Sequence, residues 1–542
     1  MYSNNNSMKN NLRLLKFHPI ILFYCFFLIS CKTEPNQQDN SSLTHFSFEN
    51  ATVESIQNSL KNGEFTITEL TQKYLNRIEE IDTEGPQLNS IIQVNPDALS
   101  IAKQLDTELQ AGKPRGVLHG IPVIIKDNID THDNMFTTAG SRALEGSKPL
   151  QDSEVAKKLR EAGAIVIAKA NLSEWANFRG ELSSSGWSGI NGQTKNPYVL
   201  DRNPCGSSAG SGVAVSAGLS IIAIGTETNG SIVCPSNANG VVGIKPTVGL
   251  ISRSGIIPIS FTQDTAGPMT RTLTDAALCL SILTGVDSTD TKTLESENHI
   301  QKDYTQFLNI NGLKGKKIGI YTPPLGNNFK VDTLFNNAVK YMKSQGATLI
   351  EIDKITENNI GALSFQVMLY EYKDGLNKYF KSLGPNAKIK SLTELIEFNK
   401  KDSIELAFYN QRYLEMAQEK EGLAADNYKE TLAAMLKGSR ENGIDKVMNE
   451  DGLDAIISPT GGPAWKTDHL NGDSFGLGSS SPAARAGYPN ITIPMGFVGN
   501  LPVGISFFGR AWSEPILLEI AYAYEQGTNH RKAPQFLAHE SN

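Results

Sequence analysis

The sequence predicts an α/β protein in which helices and strands alternate along one long chain. Apolar runs typical of buried strands, such as residues 121–125 and 164–169, stand among segments whose apolar residues recur at helical spacing. A stretch rich in Ser and Gly, residues 205–247, interrupts this alternation near the middle. Because alternation of this kind places helices on a sheet, we expect a layered α/β fold.

The composition is that of a globular protein with an acidic balance. The chain has 542 residues, of which 39% are hydrophobic and 20% charged, and its formal net charge is −7. Length alone allows roughly three domains, although large α/β enzymes often form one unit. We predict one folded unit over residues 46–535. The negative charge and the lack of a Lys/Arg-rich block argue against a nucleic-acid partner.

The first 31 residues have the features of a targeting segment. Basic residues within positions 9–16 precede an apolar run, residues 20–29, which is too short for a comfortable membrane span. The run ends in Leu28-Ile29-Ser30-Cys31, which resembles the bacterial lipobox, whose Cys is lipidated after cleavage. Residues 1–31 are therefore predicted to be a lipoprotein-type signal peptide, and the polar residues 32–45 a flexible tether.

This interpretation places the protein in the cell envelope, as a membrane-anchored lipoprotein attached at Cys31 or as a periplasmic protein. A plain secretory signal and a single anchor helix are the alternatives. Met8 is a second possible start, since it brings the basic residues nearer to the front.

Several helices and strands are predicted from spacing and end signals. Thr66 and Glu69 form the pattern of a capping box at the start of a helix, and Pro96 is expected at the first position of the next one. Residues 358–450 are expected to be mostly helical and to cover one side of the functional site. The other predicted helices are residues 152–163, 209–217, 273–283, 331–346 and 515–527, and the other strands are residues 88–94, 219–225, 316–321, 347–352, 454–458, 490–494 and 503–508.

Three cysteines lie beyond the leader: Cys205, Cys234 and Cys279. No CxxC or Cys/His spacing indicates zinc, and we expect the three to pack in the core without a disulfide framework. No metal site and no cofactor is predicted.

Lys126 directly follows the apolar residues 121–125. Burial at a strand end lowers the pKa of an amine, and a neutral amine can act as a general base. The segment alone favours instead a Lys that extends to water or pairs with Asp127.

The Ser/Gly stretch has the residue types that acyl transfer needs. Small residues let the backbone approach a ligand and adopt positive φ, and free N–H groups near a helix start can stabilise a negative charge. Ser207, Ser208 and Ser231 add hydroxyls. Gly206-Ser-Ser-Ala-Gly210 also matches the G-x-S-x-G pattern of α/β-hydrolases, but none of the later histidines stands in a Gly-rich, strand-end context. Gly-rich packing without chemistry is a further alternative.

Three pieces of this stretch resemble the amidase signature family. They are Cys205-Gly-Ser-Ser-Ala-Gly210, Gly225-Thr-Glu-Thr-Asn-Gly-Ser-Ile-Val-Cys-Pro235 and Gly243-Ile-Lys-Pro-Thr247, which occur in family order with Lys126 upstream. The resemblance implies the fold of that family, a large central mixed β-sheet with helices on both faces.

The resemblance also implies a Ser–Ser–Lys triad. Ser231 matches the nucleophile, Ser207 the bridging serine that the family holds on a cis peptide bond, and Lys126 the base. The resemblance further implies that Ser208 contacts the triad residues and helps to position them without taking part in the reaction. The oxyanion hole matches the backbone amides of Thr228, Asn229, Gly230 and Ser231.

Departures from the family pattern point to one branch of it. Glu227 replaces Asp, Asn229 replaces Gly and Val233 replaces Arg. These residues, together with Ala511-Trp-Ser-Glu-Pro515, most resemble the bacterial peptide amidases, which remove the C-terminal amide of peptides. Because Asn tolerates the left-handed backbone conformation, the loop that forms the oxyanion hole can keep its geometry with Asn at position 229.

The resemblance therefore implies a serine amidohydrolase that releases an acid and ammonia, acting on C-terminal peptide amides. The alternatives are an amidase of other small or aryl amides or esters, an amidotransferase subunit that passes ammonia to a transfer-RNA-linked amino acid, and a surface lipoprotein that binds peptides without turnover. The leader argues against the amidotransferase, whose substrate is cytoplasmic.

Overall fold

An 11-stranded mixed β-sheet forms the centre of the molecule. It is seen in a computed structural model of the chain, which describes residues 46–540. The strands of this sheet are β1 (Ile91–Val94), β2 (Pro122–Lys126), β3 (Ile165–Ala170), β6 (Ile222–Glu227), β7 (Val242–Lys245), β8 (Thr265–Thr270), β9 (Lys317–Tyr321), β10 (Thr348–Ile352), β11 (Ala455–Pro459), β12 (Asn490–Val498) and β13 (Leu501–Phe508), and a separate hairpin pairs β4 (Trp187–Ser188) with β5 (Gly192–Gln193).

The strand order is β1-β3-β2-β6-β8-β7-β12-β13-β11-β9-β10. Strand β2 runs parallel to both of its neighbours, β3 and β6, and β9 runs parallel to β10 and β11. The remaining pairs are antiparallel. The carboxyl ends of β2 and β6 therefore meet at one edge of the sheet.

Helices flank this sheet. They are α1 (Val53–Lys61), α2 (Ile67–Ile78), α3 (Ala98–Gln110), α4 (Glu154–Glu161), α5 (Ala209–Ser216), α6 (Val233–Ala238), α7 (Leu273–Leu283), α8 (Phe329–Ser344), α9 (Ile360–Ser382), α10 (Leu392–Asn399), α11 (Arg412–Gln418), α12 (Asp426–Ser439), α13 (Asp445–Asp451), α14 (Ser481–Ala486) and α15 (Glu514–Thr528). The α/β fold expected from the sequence is confirmed.

The capping box predicted at the second helix is present. The Thr66 side chain accepts a hydrogen bond from the Glu69 amide, and the Glu69 carboxylate accepts one from the Thr66 amide. These bonds satisfy donors that the helix start would leave unpaired, so the local sequence determines where α2 begins.

Two boundaries near the start of the fold differ from the prediction. The first strand begins at Ile91 rather than residue 88, because Asn89 has positive φ and the Ser90 amide donates to Asp82. The helix predicted from Pro96 begins at Ala98, since the Asn95 side chain first forms a turn by accepting the Asp97 amide.

Residues 358–450 contain helices α9 to α13 and no strand, as the sequence predicted. Apolar side chains of α9, α10 and α11 form one cluster with residues 139–144, 175–178 and 257–259, whereas those of α12 pack against α9 in a separate cluster. The Tyr379 hydroxyl of α9 also donates to Asp130 at 2.9 Å, which ties these helices to the residues that follow β2.

The expectation for the cysteines is wrong in one respect. Cys205 and Cys234 form a disulfide, with their Cα atoms 5.9 Å apart, while Cys279 is buried and free. The turns that bring the two segments together are tertiary features that cysteine spacing does not reveal.

Within residues 46–540, no helix has both the length and the apolar character needed to cross a membrane. The predicted signal peptide, Cys31 and the tether lie outside the described residues.

Candidate active site

Lys126 is the last residue of β2 and is fully buried. Its Nζ donates to the Ser207 Oγ at 2.7 Å and to the Thr226 Oγ1 at 2.9 Å, with the Thr226 carbonyl oxygen at 3.2 Å. The amine therefore neither extends to water nor pairs with Asp127. The Asp127 carboxylate instead accepts from Thr138 and lies 3.8 Å from the Lys169 Nζ.

Burial changes the acid–base properties of this amine. It lowers the pKa of Lys126 to about 7, although the nearby carboxylates of Asp264 and Glu227 oppose the shift. Burial of a cation disfavours its charged form, so a large fraction of Lys126 is neutral near pH 7. A neutral amine can accept a proton, as a general base must.

Ser207 is fully buried and follows a cis peptide bond from Gly206. The next residue, Ser208, joins three segments: its amide donates to the Ser231 carbonyl at 3.1 Å, and its hydroxyl donates to the Thr226 carbonyl at 3.0 Å and accepts the Thr226 amide at 3.2 Å. Ser208 thus fixes the loop that carries Ser207 against the end of β6.

Ser231 lies between β6 and α6 and is partly exposed. Among the described residues, no hydrogen bond joins its hydroxyl directly to that of Ser207. The structure thus brings the Lys126 amine to the Ser207 hydroxyl and the Ser207 loop to the Ser231 backbone.

Free backbone donors surround Ser231. Over residues 46–540, the amides of Thr228, Asn229, Gly230 and Ser231 donate to no acceptor. The next two amides, those of Ile232 and Val233, donate to the Glu227 carboxylate at 2.9 and 3.1 Å. Glu227 thereby caps the start of α6 and leaves the four preceding N–H groups for a ligand.

The loop that carries these amides has a defined conformation. Gly230 has φ of 86°, so Gly230 rather than Asn229 takes the left-handed conformation. The Asn229 side chain contacts Ser480 and Ser481 at the start of α14, with its Oδ1 2.8 Å from the Ser480 hydroxyl. The Thr228 hydroxyl donates to Asp264 at 2.6 Å.

Three residues of this site were not identified from the sequence: Thr226, Asn128 and Asp264. The Thr226 Oγ1 accepts hydrogen bonds from both Lys126 and the Asn128 side-chain amide, the second at 3.0 Å. Asn128 stands two residues after Lys126, and Thr226 lies within the quoted piece that begins at Gly225, so both are in or next to segments that the sequence had indicated. Asp264 had no local signal, because its role depends on the contact with Thr228.

A cavity of about 620 Å³ borders the site. Thr226 and Thr228 form part of its wall beside the buried amine, and Asn128, Asp130 and Asp264 add polar groups. Much of the remaining wall is apolar and comes from Ile256, Ile257, Pro258, Ile259, Phe261 and Leu383. Such a cavity suits a largely apolar organic ligand.

The site combines a buried amine hydrogen-bonded to one serine hydroxyl, a second serine on a loop of free backbone amides, and an adjoining apolar cavity. This arrangement is suited to acyl transfer. Residues 69–518 match the amidase family. The chain belongs to the amidase signature family and is an amidohydrolase.

Individual relatives are similar over nearly the whole chain. A probable amidase of Arabidopsis thaliana is 40% identical over 506 residues, which cover 91% of this chain and 93% of the plant protein. The native peptide amidase of Stenotrophomonas maltophilia superposes with a TM-score of 0.87 at 45% identity, over 90% of this chain and 99% of that one. The structure of the peptide amidase PAM in complex with the competitive inhibitor chymostatin superposes with a TM-score of 0.88 at 46% identity, over 90% of this chain and 100% of that one.

Proposed function

We propose that this protein hydrolyses the C-terminal amide of peptides to the free acid and ammonia, through an acyl-enzyme on Ser231. The observation that supports this mechanism most is the 2.7 Å hydrogen bond from the Lys126 amine to the Ser207 hydroxyl. It connects a buried base to the loop that contacts the Ser231 backbone.

The reaction begins with proton transfer. Neutral Lys126 accepts a proton from Ser207, which takes one from Ser231 as the Ser231 oxygen attacks the amide carbonyl. The step requires the Ser231 hydroxyl to turn toward Ser207 in the substrate complex, and catalytic hydrogen bonds often form only at that stage.

The free amides of the loop, those of Thr228, Asn229, Gly230 and Ser231, stabilise the negative oxygen of the tetrahedral intermediate. Loss of one such donor typically costs about 3 kcal/mol of transition-state stabilisation. As the C–N bond breaks, the proton returns through Ser207 to the leaving ammonia. Water then attacks the acyl group by the same relay, which releases the acid and restores Ser231.

Two observations favour a peptide amide as the substrate. The peptide amidases are similar to this chain at 45% and 46% identity over 90% of its length. The cavity next to Thr226 and Thr228 has an apolar wall from residues 256–261 and Leu383, which suits the side chain of a residue close to the cleaved bond.

Ammonia release from C-terminally amidated peptides tests this function. The wild-type protein should release ammonia and leave the peptide acid, and Ser231→Ala should lower kcat at least about 1,000-fold because the nucleophile is lost. Ser236→Ala is the matched control, since that serine is buried within the adjoining helix α6 and its hydroxyl has no partner among the described residues.

The control should keep the wild-type rate. A Ser231→Ala variant within tenfold of wild type would remove Ser231 from its role. Hydrolysis of small aryl amides without hydrolysis of any peptide amide would instead favour the alternative substrate class.

A further inference from the structure

The disulfide joins two cysteines that are close in sequence to the two proposed catalytic serines. Cys205 is two residues before Ser207, and Cys234 is three residues after Ser231 in α6. The disulfide therefore links covalently the two segments whose serine hydroxyls must meet for proton transfer. Along the chain, Ser231 is 24 positions after Ser207 and Cys234 is 29 positions after Cys205.

A second connection runs parallel to the disulfide. The fully buried Asn239 side chain donates to the Pro204 carbonyl at 2.9 Å and to the Pro235 carbonyl at 2.7 Å. These carbonyls belong to the residues next to Cys205 and Cys234. The disulfide and the Asn239 side chain thus connect the same two segments at neighbouring positions. The hydrogen bond from the Ser208 amide to the Ser231 carbonyl is a third connection between them.

The segment before Ser207 needs such support. Cys205 has φ of 56°, a left-handed conformation that is uncommon for a residue with a side chain. Unusual backbone of this kind persists only where surrounding contacts fix it. The disulfide, the Asn239 bonds and the hydrogen bond from the Cys205 amide to Asn203 at 2.8 Å provide those contacts.

We infer that the Cys205–Cys234 disulfide is a positioning element for proton transfer from Ser231 to Ser207. This inference rests on the proposed function, because it takes both serines as members of the relay. The disulfide does not touch the reacting atoms but limits the relative displacement of the two segments. A displacement of about 1 Å in such a geometry can cost 100-fold in rate.

A serine-directed fluorophosphonate tests this role without requiring the natural substrate. The Ser231 oxygen forms a bond to phosphorus, fluoride leaves, and the serine proton passes to the relay. The Cys205→Ser/Cys234→Ser double variant should show a maximal labelling rate about 10- to 100-fold below wild type. The probe concentration at half-maximal rate and the pH midpoint of labelling should remain those of wild type. Cys279→Ser, which removes the buried free thiol, is the control and should label at the wild-type rate.

Reduced wild-type protein is the second sample, for use if the double variant does not fold. A dithiol transfers two electrons and two protons to the disulfide and becomes a cyclic disulfide itself, and thiol titration verifies the two new thiols. Labelling is measured well below the melting temperature of each sample, so that only folded protein is compared.

A disulfide-free protein that labels within twofold of wild type would overturn the inference. A pH midpoint displaced toward that of a free lysine would also contradict it, because the disulfide would then maintain the burial of Lys126 rather than the register of the serines. If the probe fails to label Ser231 in wild type, the proposed function falls, and this inference with it.

Discussion

Burial and two hydroxyl partners determine the pKa and the orientation of the Lys126 amine. The sequence placed this residue at the end of a buried strand, and that part of the environment could be predicted from the apolar run before it. The partners could not, because Ser207 and Thr226 come from segments 81 and 100 residues away. Local sequence therefore left two interpretations of Lys126 open, and tertiary contacts decide between them.

Thr226 orients the amine. Its hydroxyl oxygen accepts from Lys126 at 2.9 Å and from Asn128 at 3.0 Å. Thr226→Val keeps the shape of the side chain but removes this acceptor, so the amine should lose its alignment to Ser207. We expect kcat for amide hydrolysis to fall about tenfold or more, with KM little changed, since an interaction that aligns the relay acts mainly in the transition state.

Thr270→Val is the control for this change. Thr270 is buried on the neighbouring strand β8, and its hydroxyl donates to the Thr272 carbonyl at 2.7 Å, away from the relay. It should melt at a lower temperature but keep the wild-type kcat. Equal kcat in the two variants would show that Thr226 only stabilises the fold.

At the scale of elements, the sequence predicted long and strongly apolar segments well. The bounds of α7, Leu273–Leu283, are those expected from periodicity. Strand β8 was missed because it contains Gly267 and Pro268, which disfavour strands, and it is stabilised instead by pairing with β6 and β7 on its two sides. Helix α6 was missed because it has six residues, one of them Pro235.

The helical region α9 to α13 is attached to the rest of the fold through a buried acidic pair. Between α10 and α11, Glu405 accepts the Arg142 amide at 2.6 Å and the Ser141 hydroxyl at 3.1 Å. It lies beside Glu174, which is also buried. Burial, and then the neighbouring Glu405 carboxylate, raise the pKa of Glu174 well above its usual value.

This pair predicts a pH dependence of stability. Above pH 4.3, about the pKa of Glu in the unfolded chain, the folded protein still binds the Glu174 proton whereas the unfolded chain releases it. The free energy of unfolding therefore decreases as pH rises, until the pH passes the raised pKa of Glu174 in the folded state. Glu405→Gln removes the neighbouring charge and should weaken that decrease. We expect the fall in melting temperature between about pH 5 and pH 8 to be smaller in the variant than in wild type.

Thermal unfolding followed across this pH range measures the difference. Glu430→Gln, a change of the same kind at an exposed position of α12, should follow the wild-type curve. Parallel curves for Glu405→Gln and wild type would contradict the coupling between the two carboxyl groups.

For the whole molecule, the sheet order explains how distant residues form one site. Strands β2 and β6 are parallel neighbours, so Lys126 and Thr226 come to the same edge, and the loops after β6 add Ser231. Spacing along the chain contains no information about this adjacency. The link between Lys126 and the serines came from resemblance to the amidase signature family, and the parallel pairing is its physical basis.

We propose that the mature protein is anchored outside the cytoplasm through a lipid on Cys31. The Cys205–Cys234 disulfide favours such a location, because disulfides persist in oxidising compartments. In a bacterial host, Cys31→Ala should move the protein from the membrane fraction to the soluble fraction, as detected by immunoblot after ultracentrifugation.

Cys25→Ala is the matched control within the same leader and should leave the protein with the membranes. If Cys31→Ala also stays in the membrane fraction, the leader is an anchor helix and not a lipidation signal.

The pH dependence of kcat/KM for peptide-amide hydrolysis tests most directly whether Lys126 is the base. In the proposed mechanism the neutral amine is the active form, and burial lowers the pKa of Lys126 to about 7. We therefore expect kcat/KM to rise with pH through a midpoint near that value and then to level off. The residual activity of Lys126→Ala should lack this rise. A midpoint near 10.4, the value of an unperturbed lysine, or an unchanged rise in Lys126→Ala, would contradict the assignment.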